Sequence, residues 1–220
     1  MYSSMAELIE KLKQHGIKVE ELVALEMFGR GGDWHTTSYA DKVKSLEVWE
    51  IDEKWKNELQ KNLLNAKIKI QDSIRTIRDN DNLERFSFVV IDNPQMLYGP
   101  LQDNLEPEYC EHFEVLKNID KILASDVIIV FNVNLKPFDY DKWQLWKNRR
   151  EIFYGNTDTS NLSLDFSLQF YKTFFENINF EVLFYTYVKR ATPNPLEILY
   201  YFAYHLRKKD HNRTKLVLIK

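Results

Sequence analysis

Residues 23–33 read VALEMFGRGGD, and a second apolar run, LEVWEID, follows at 46–52. An acidic residue ending one strand, a glycine-rich turn and an acidic residue at the tip of the next strand is how an open α/β sheet holds a nucleoside. Here those parts are Glu26, the glycines Gly29, Gly31 and Gly32, and Glu50. The glycines let the chain turn tightly and bring backbone N–H groups close to a ligand. Glu50 follows Gly32 at roughly the ~20-residue separation from which a strand-tip carboxylate accepts hydrogen bonds from ribose hydroxyls. The spacing is not the dinucleotide GxGxxG, so the alternative stays open that the glycines only turn the chain and Glu50 is a solvated strand end.

Other residues with chemistry in reach lie nearby in sequence. Asp92 ends the apolar run FSFVVID, where it is either a base facing a ligand at the sheet edge or a cap on the next turn. Asn93 after it is either a hydrogen-bond partner for a substrate amine or hydroxyl, or an ordinary turn residue before Pro94. Asp33, Trp34 and His35 follow the glycines directly. Trp34 and His35 could close over a bound nucleoside, and His35 titrates in the range of a general base; the rival reading is a helix cap followed by a packing residue. The histidines show no metal-ligand spacing, there is no HExxH, and no carboxylate run of the calcium type occurs.

Composition bounds the function classes. The chain has 220 residues, enough for one hydrophobic core, and is read as a single domain, 1–220. Its 30 basic and 33 acidic residues leave a net charge of −3, which gives no prior for nucleic acid or an anionic membrane. Basic clusters at 147–150, 189–190 and 207–209 lie near Trp143, Trp146, Tyr185 and Tyr187, which would suit base stacking, but acidic residues interleave and a solvated face is the default. The single cysteine, Cys110, excludes an internal disulfide and suits a reducing compartment. No apolar run reaches the ~18 residues of a membrane span, and the N-terminus is charged where a signal peptide would be apolar. A soluble, cytoplasmic protein is expected; its oligomeric state is not readable.

These residues need elements to position them. Strand-like runs are expected at 22–27, 45–51, 67–70, 86–91 and 127–131, the last two near-continuous and β-rich like central parallel strands. Helical periodicity separates them at 4–15, 53–65, 73–78 and 108–123. The last third carries helical patterns at 140–153 and from Ser163, a strand at 180–189, a helical run at 196–208 and a terminal strand at 214–219. The last two strands would then pair antiparallel through a long connection. The alternation predicts a doubly wound, mostly parallel seven-stranded α/β sheet with its last strand reversed. Residues 132–161 are expected to cover the substrate, with Trp143, Trp146, Phe153 and Tyr154 shielding a compact acceptor.

In the order of its elements and in LEMFGRGG, VWEID and IKIQDS, the chain resembles the class I S-adenosylmethionine-dependent methyltransferases, most specifically over residues 22–95. The resemblance implies a Rossmann-like fold, S-adenosylmethionine as cofactor and methyl transfer to a small polar acceptor. It implies a cofactor site built from Glu26, Phe28, Gly29, Arg30, Gly31, Gly32, Glu50, Ile51, Asp72 and Ser73. Asp92 and His35 would stand at the acceptor, with Asn93, Trp34, Trp143 and Trp146 binding it. Two departures are evident: Arg30 replaces the middle glycine, where it could meet the cofactor's carboxylate, and Asp-Asn-Pro-Gln only partly matches the Asn-Pro-Pro-Tyr of amino-group methyltransferases. A degenerate, scaffolding relative, a nucleic-acid base methyltransferase and an NAD-dependent oxidoreductase are the competing readings.

Overall fold

The computed structural model describes residues 3–81, 83, 85–92, 96–99, 107–138, 140–192 and 194–209. Helix α1, Ser4–Gln14, starts where the Ser3 hydroxyl accepts from the Ala6 N–H, and it buries the stripe Met5, Leu8, Ile9 and Leu12. Strands β1 (Val23–Glu26), β2 (Ser45–Glu50), β3 (Lys67–Ile70) and β4 (Phe86–Ile91) fall within a residue or two of the expected runs. Helices α2 (Lys56–Asn62) and α3 (Ser73–Asp79) make the crossovers around β3. Beyond them come β5 (Leu123–Lys136), α5 (Gln144–Phe153), α6 (Leu164–Asn177), β6 (Phe180–Arg190) and β7 (Ile198–Lys208).

The main sheet has seven strands in the order β3-β2-β1-β4-β5-β7-β6. The first five run parallel, and β7 is antiparallel to both of its neighbours. Side chains alternate between the two faces, as the period of a strand requires. Leu25, Val89, Ile91, Ile129 and Phe131 pack under α3, α5 and α6, while Ala24, Val48, Phe88, Val90 and Ile128 pack under α1 and α2. Among the described residues no helix is long and apolar enough to cross a membrane.

Two expected helices are corrected. The run at 196–208 is strand β7, joined to β6 by a short link, so no long helical connection separates the antiparallel pair. Its sequence, ILYYFAYHLRK, is apolar on both sides: Phe202, Tyr204 and Leu206 enter one core and Tyr201 and Ala203 the other. Continuous apolar character does not separate helix from central strand by periodicity, and the aromatic residues favour the strand. The strand expected at 214–219 lies outside the described residues, as do Asn93 and Pro94.

The second correction is the helix expected at 108–123. Tyr109–Cys110 pair with Leu97–Tyr98 in a separate two-stranded ribbon, and Glu111 adopts φ 46, which ends any helix there. Only α4, Phe113–Leu116, and one turn at Ile119–Lys121 are helical before β5 begins. Residues 132–136, placed at the start of the cover by the sequence, continue β5.

Candidate functional site

The C-terminal tips of β1 and β2 meet at the glycine loop. Gly29 is enclosed: a Cβ there would lie 2.2 Å from Val48 Cγ1. Gly32 has φ 64 and sits against Leu59 and Leu63, while Arg30 carries φ 44 without being glycine. Arg30 holds that conformation with its N–H donating to Glu50 Oε2 at 2.6 Å and its guanidinium 5.3 Å from the Trp55 ring. Glu50 Oε1 accepts from the Asp52 N–H at 2.8 Å. The strand-tip carboxylate is thus 8 % exposed, with each oxygen fixed by one backbone donor and a further lone pair left on each.

Glu50 lines a pocket of about 300 Å³ with Phe28, Ile51, Asp72, Ser73, Tyr98 and Tyr109. Asp72 caps α3, its Oδ1 accepting from the N–H groups of Ile74 and Arg75 at 2.9 and 3.0 Å. The Ser73 hydroxyl donates to the Met27 carbonyl and ties that helix to the end of β1. The lining is mostly apolar with carboxylates at its rim, which suits a flat heterocycle attached to a ribose. A narrow depression of about 30 Å³ adjoins it, bounded by Phe28, Gly29, Arg30, Gly32, Trp34 and His35 among others. A third cleft of about 250 Å³ shares Trp34 and His35 and reaches Ser3, Arg190 and Tyr201.

Glu26 does not line the first pocket. It is fully buried, accepts hydrogen bonds from the Tyr39 and Thr36 hydroxyls, and lies 3.5 Å from His35 Nε2. On the other side of the imidazole, Nδ1 is 2.7 Å from Asp92 Oδ2. Neither contact has hydrogen-bond alignment, so charge attraction holds the ring between the two carboxylates. Asp92 Oδ2 also accepts from the Tyr201 hydroxyl at 2.6 Å; Tyr201 accepts from Arg190 Nε at 2.9 Å, and Arg190 Nη2 lies 3.5 Å from Asp92 Oδ1. Two buried carboxyl groups thus face one imidazole and one guanidinium.

That packing sets the protonation states. Burial works against the charged form of His35, but Glu26 and Asp92 outweigh it and raise its pKa to about 10. Burial likewise pushes Asp92 up, yet His35, Arg190 and Tyr201 hold it below the usual carboxylate range. For Glu26 burial wins over His35 and Tyr39, and its pKa is raised. At neutral pH His35 is an imidazolium and Asp92 an enclosed carboxylate.

The fold is matched by solved structures. N-methyltransferase NodS from Bradyrhizobium japonicum WM9 aligns over 94% of this chain and 97% of its own, with a TM-score of 0.54 and 12% identity. TYW2 of M. jannaschii in complex with AdoMet aligns over 92% and 76%, with a TM-score of 0.52 and 15% identity. The M. jannaschii tRNA m1G37 methyltransferase aligns over 94% of this chain and 49% of its own, at 0.53 and 16%. The chain has the class I methyltransferase fold. No protein-family profile and no curated protein sequence matches it.

Within the methyltransferase fold, the structure brings Phe28, Glu50, Ile51, Asp72 and Ser73 to one pocket, and Trp34 and His35 to the cleft beside it. Gly31 lies in the loop between them without lining either. Glu26 and Asp92 stand behind His35. Trp143 and Trp146 line none of these cavities. Trp143 is half exposed ahead of α5; Trp146 is buried, its Nε1 donating to Glu111 at 2.9 Å. Arg150 completes that brace, fully buried, pairing with Glu111 and donating to the Asn134 carbonyl at 2.8 Å. Among the described residues no group of three or more His, Cys, Asp or Glu gathers as a metal site.

Sequence reasoning missed Tyr201, Tyr39, Tyr98 and Tyr109 as site residues. Tyr201 was hidden by the helical reading of 196–208. Arg190 was visible only as half of a basic pair, and its interior place depends on the β6–β7 pairing.

Proposed function

We propose that the chain binds S-adenosylmethionine and transfers its methyl group to a small polar acceptor. The observation that carries this reading is the run of three adjoining cavities along the strand tips: Phe28 is shared by the first two, and Trp34 and His35 by the last two. Glu50 would hold the ribose hydroxyls, Ile51, Asp72 and Ser73 would surround the adenine, and the glycine loop would carry the methionine end. When bound, the cofactor supplies an electrophilic methyl group on a positively charged sulfur.

The residues present fit that cofactor. Glu50 keeps spare lone pairs for two hydroxyls, and the apolar walls around Phe28 and Tyr98 leave room for a flat base. A pyrophosphate would lie beside Glu50 on a loop without GxGxxG spacing, which disfavours a nicotinamide dinucleotide. The acceptor belongs in the cleft against Trp34, His35, Arg190 and Tyr201. His35 already carries its proton and Asp92 has no exposed surface, so neither is placed to take a proton from an acceptor directly. Asp92 acts instead as a positioning residue that fixes the charge and orientation of His35, Arg190 and Tyr201. The acceptor must then offer a lone pair already free, or release its proton to water.

Calorimetry with S-adenosylhomocysteine and NAD in parallel tests the reading. Saturable binding of the first is expected, with Glu50→Ala weakening it about tenfold or more, since charge-assisted hydrogen bonds contribute roughly 1.5–3 kcal/mol. Binding of NAD alone refutes it. Binding of neither at millimolar concentration favours a scaffolding protein.

A further inference from the structure

The cleft beside His35 presents positive charge that the fold does not use up. Arg190 is 95 % shielded at its wall, its guanidinium 4.9 Å from the Trp34 ring and its Nε committed to Tyr201. Among the described residues its Nη1 has no partner, and Nη2 has only the 3.5 Å approach to Asp92. The balancing carboxylates, Glu26 and Asp92, have no exposed surface, so the cations stand in front and the anions behind. Glu197, whose charge also reaches Arg190, is engaged by the Thr192 hydroxyl at 2.9 Å.

A second feature points the same way. Ser3, Ser4 and Met5, the first turn of α1, form another wall of the cleft. The first N–H groups of a helix have no intrahelical acceptor and carry partial positive charge. Ser3 already serves the Ala6 N–H, which leaves that of Ser4 at the wall, since Met5 is fully buried. Held by stacking on Trp34 and by Tyr201, the Arg190 fork is preorganised for planar oxyanions.

We infer that this cleft binds the oxyanion, a carboxylate or a phosphate monoester, of a small acidic methyl acceptor, with Arg190 as its direct contact. The acceptor role rests on the methyltransferase reading; the anion binding does not. A volume of about 250 Å³ holds the acidic end of a small molecule. Nucleic-acid phosphates would call for a continuous basic track, which a chain of net charge −3 with interleaved acidic residues does not suggest.

The test titrates the full chain with benzoate, phenyl phosphate and, as a neutral control, benzyl alcohol. It follows tryptophan emission, with Trp34→Phe to isolate the indole under Arg190, and the NMR resonances of Arg190 Nε and the Ser4 amide. At least one anion should saturate and move both resonances, and the alcohol should not. Comparing benzoate with phenyl phosphate tells carboxylate from phosphate. Arg190→Lys keeps the charge opposite Asp92 but loses the fork, and should weaken anion binding about tenfold while leaving S-adenosylhomocysteine affinity within about threefold. The resonance shifts in the unmodified protein decide the matter if that variant does not fold. An equal response to benzyl alcohol, unmoved Arg190 and Ser4 resonances, or undiminished binding in a folded Arg190→Lys overturns the inference, as does displacement of the anion by a single-stranded oligonucleotide at micromolar concentration. Anion binding without S-adenosylhomocysteine binding would defeat the methyltransferase reading alone; the reverse would defeat this cleft alone.

Discussion

The protonated His35 makes the stability of the protein depend on pH in a defined window. Unfolded, a histidine titrates near ~6.5; folded, His35 titrates at about 10, because Glu26 and Asp92 flank a ring that is only 13 % exposed. Between those values the folded state keeps a proton that the unfolded state has released. Stability from this group is therefore complete below about pH 6.5 and is lost as pH rises towards 10, with a slope of about 1.4 kcal/mol per pH unit. From pH 7 to 9 the loss is on the order of 2–3 kcal/mol, large against a total stability of about 5–15 kcal/mol. Removing His35 alone would be a poor reference, since Glu26 would lose the cation that opposes its protonation and would titrate in its place. The double variant Glu26→Gln/His35→Asn replaces the ion pair with neutral amides and supplies a reference without that slope. Urea unfolding at pH 7, 8 and 9 should show the unmodified protein losing ground to the double variant, and the imidazole NMR resonances should stay those of the cation through pH 8. Parallel stability profiles, or a His35 resonance titrating near 6.5, would refute the reasoning.

Other perturbations separate neighbouring positions. Gly29→Ala should destabilise by about 2–3 kcal/mol, because its Cβ would meet Val48 Cγ1 at 2.2 Å in a buried strand. Gly31→Ala should stay within ~0.5 kcal/mol, since its Cβ meets only the ends of the exposed Glu58 and Asp33 side chains; urea denaturation compares the two, and equal effects would contradict the loop geometry. Glu111→Gln leaves the fully buried Arg150 without its counter-charge and should cost about 3 kcal/mol or more, read from thermal or urea unfolding. Tyr201→Phe removes the hydroxyl that links Asp92 to Arg190 and should cost about 1–2 kcal/mol while leaving S-adenosylhomocysteine affinity unchanged within a few-fold, measured by calorimetry.

The first half of the fold was legible because its signals are local. Strands β1 to β4 are short apolar runs bounded by turn residues, α1 has a serine cap and a four-residue stripe, and the glycine loop with Glu50 follows from sequence spacing alone. That Glu50, Asp72 and Phe28 share one pocket follows once those strands are parallel and adjacent. The Ile198–Lys208 segment was not legible: an apolar run flanked by no polar stripe is compatible with either element, and only the open place between β5 and β6, where both backbone edges find partners, selects the strand. The chemistry of the cleft was decided at that same level. In sequence Asp92 and His35 read as bases exposed at a sheet edge. The fold instead packs Tyr201 and Arg190 from its last two strands against Asp92 and closes Glu26 over the other side of His35, so that burial and neighbouring charge set their protonation. Sequence fixes which groups can ionise; which ones do depends on charges brought within a few ångströms by residues far apart in the chain.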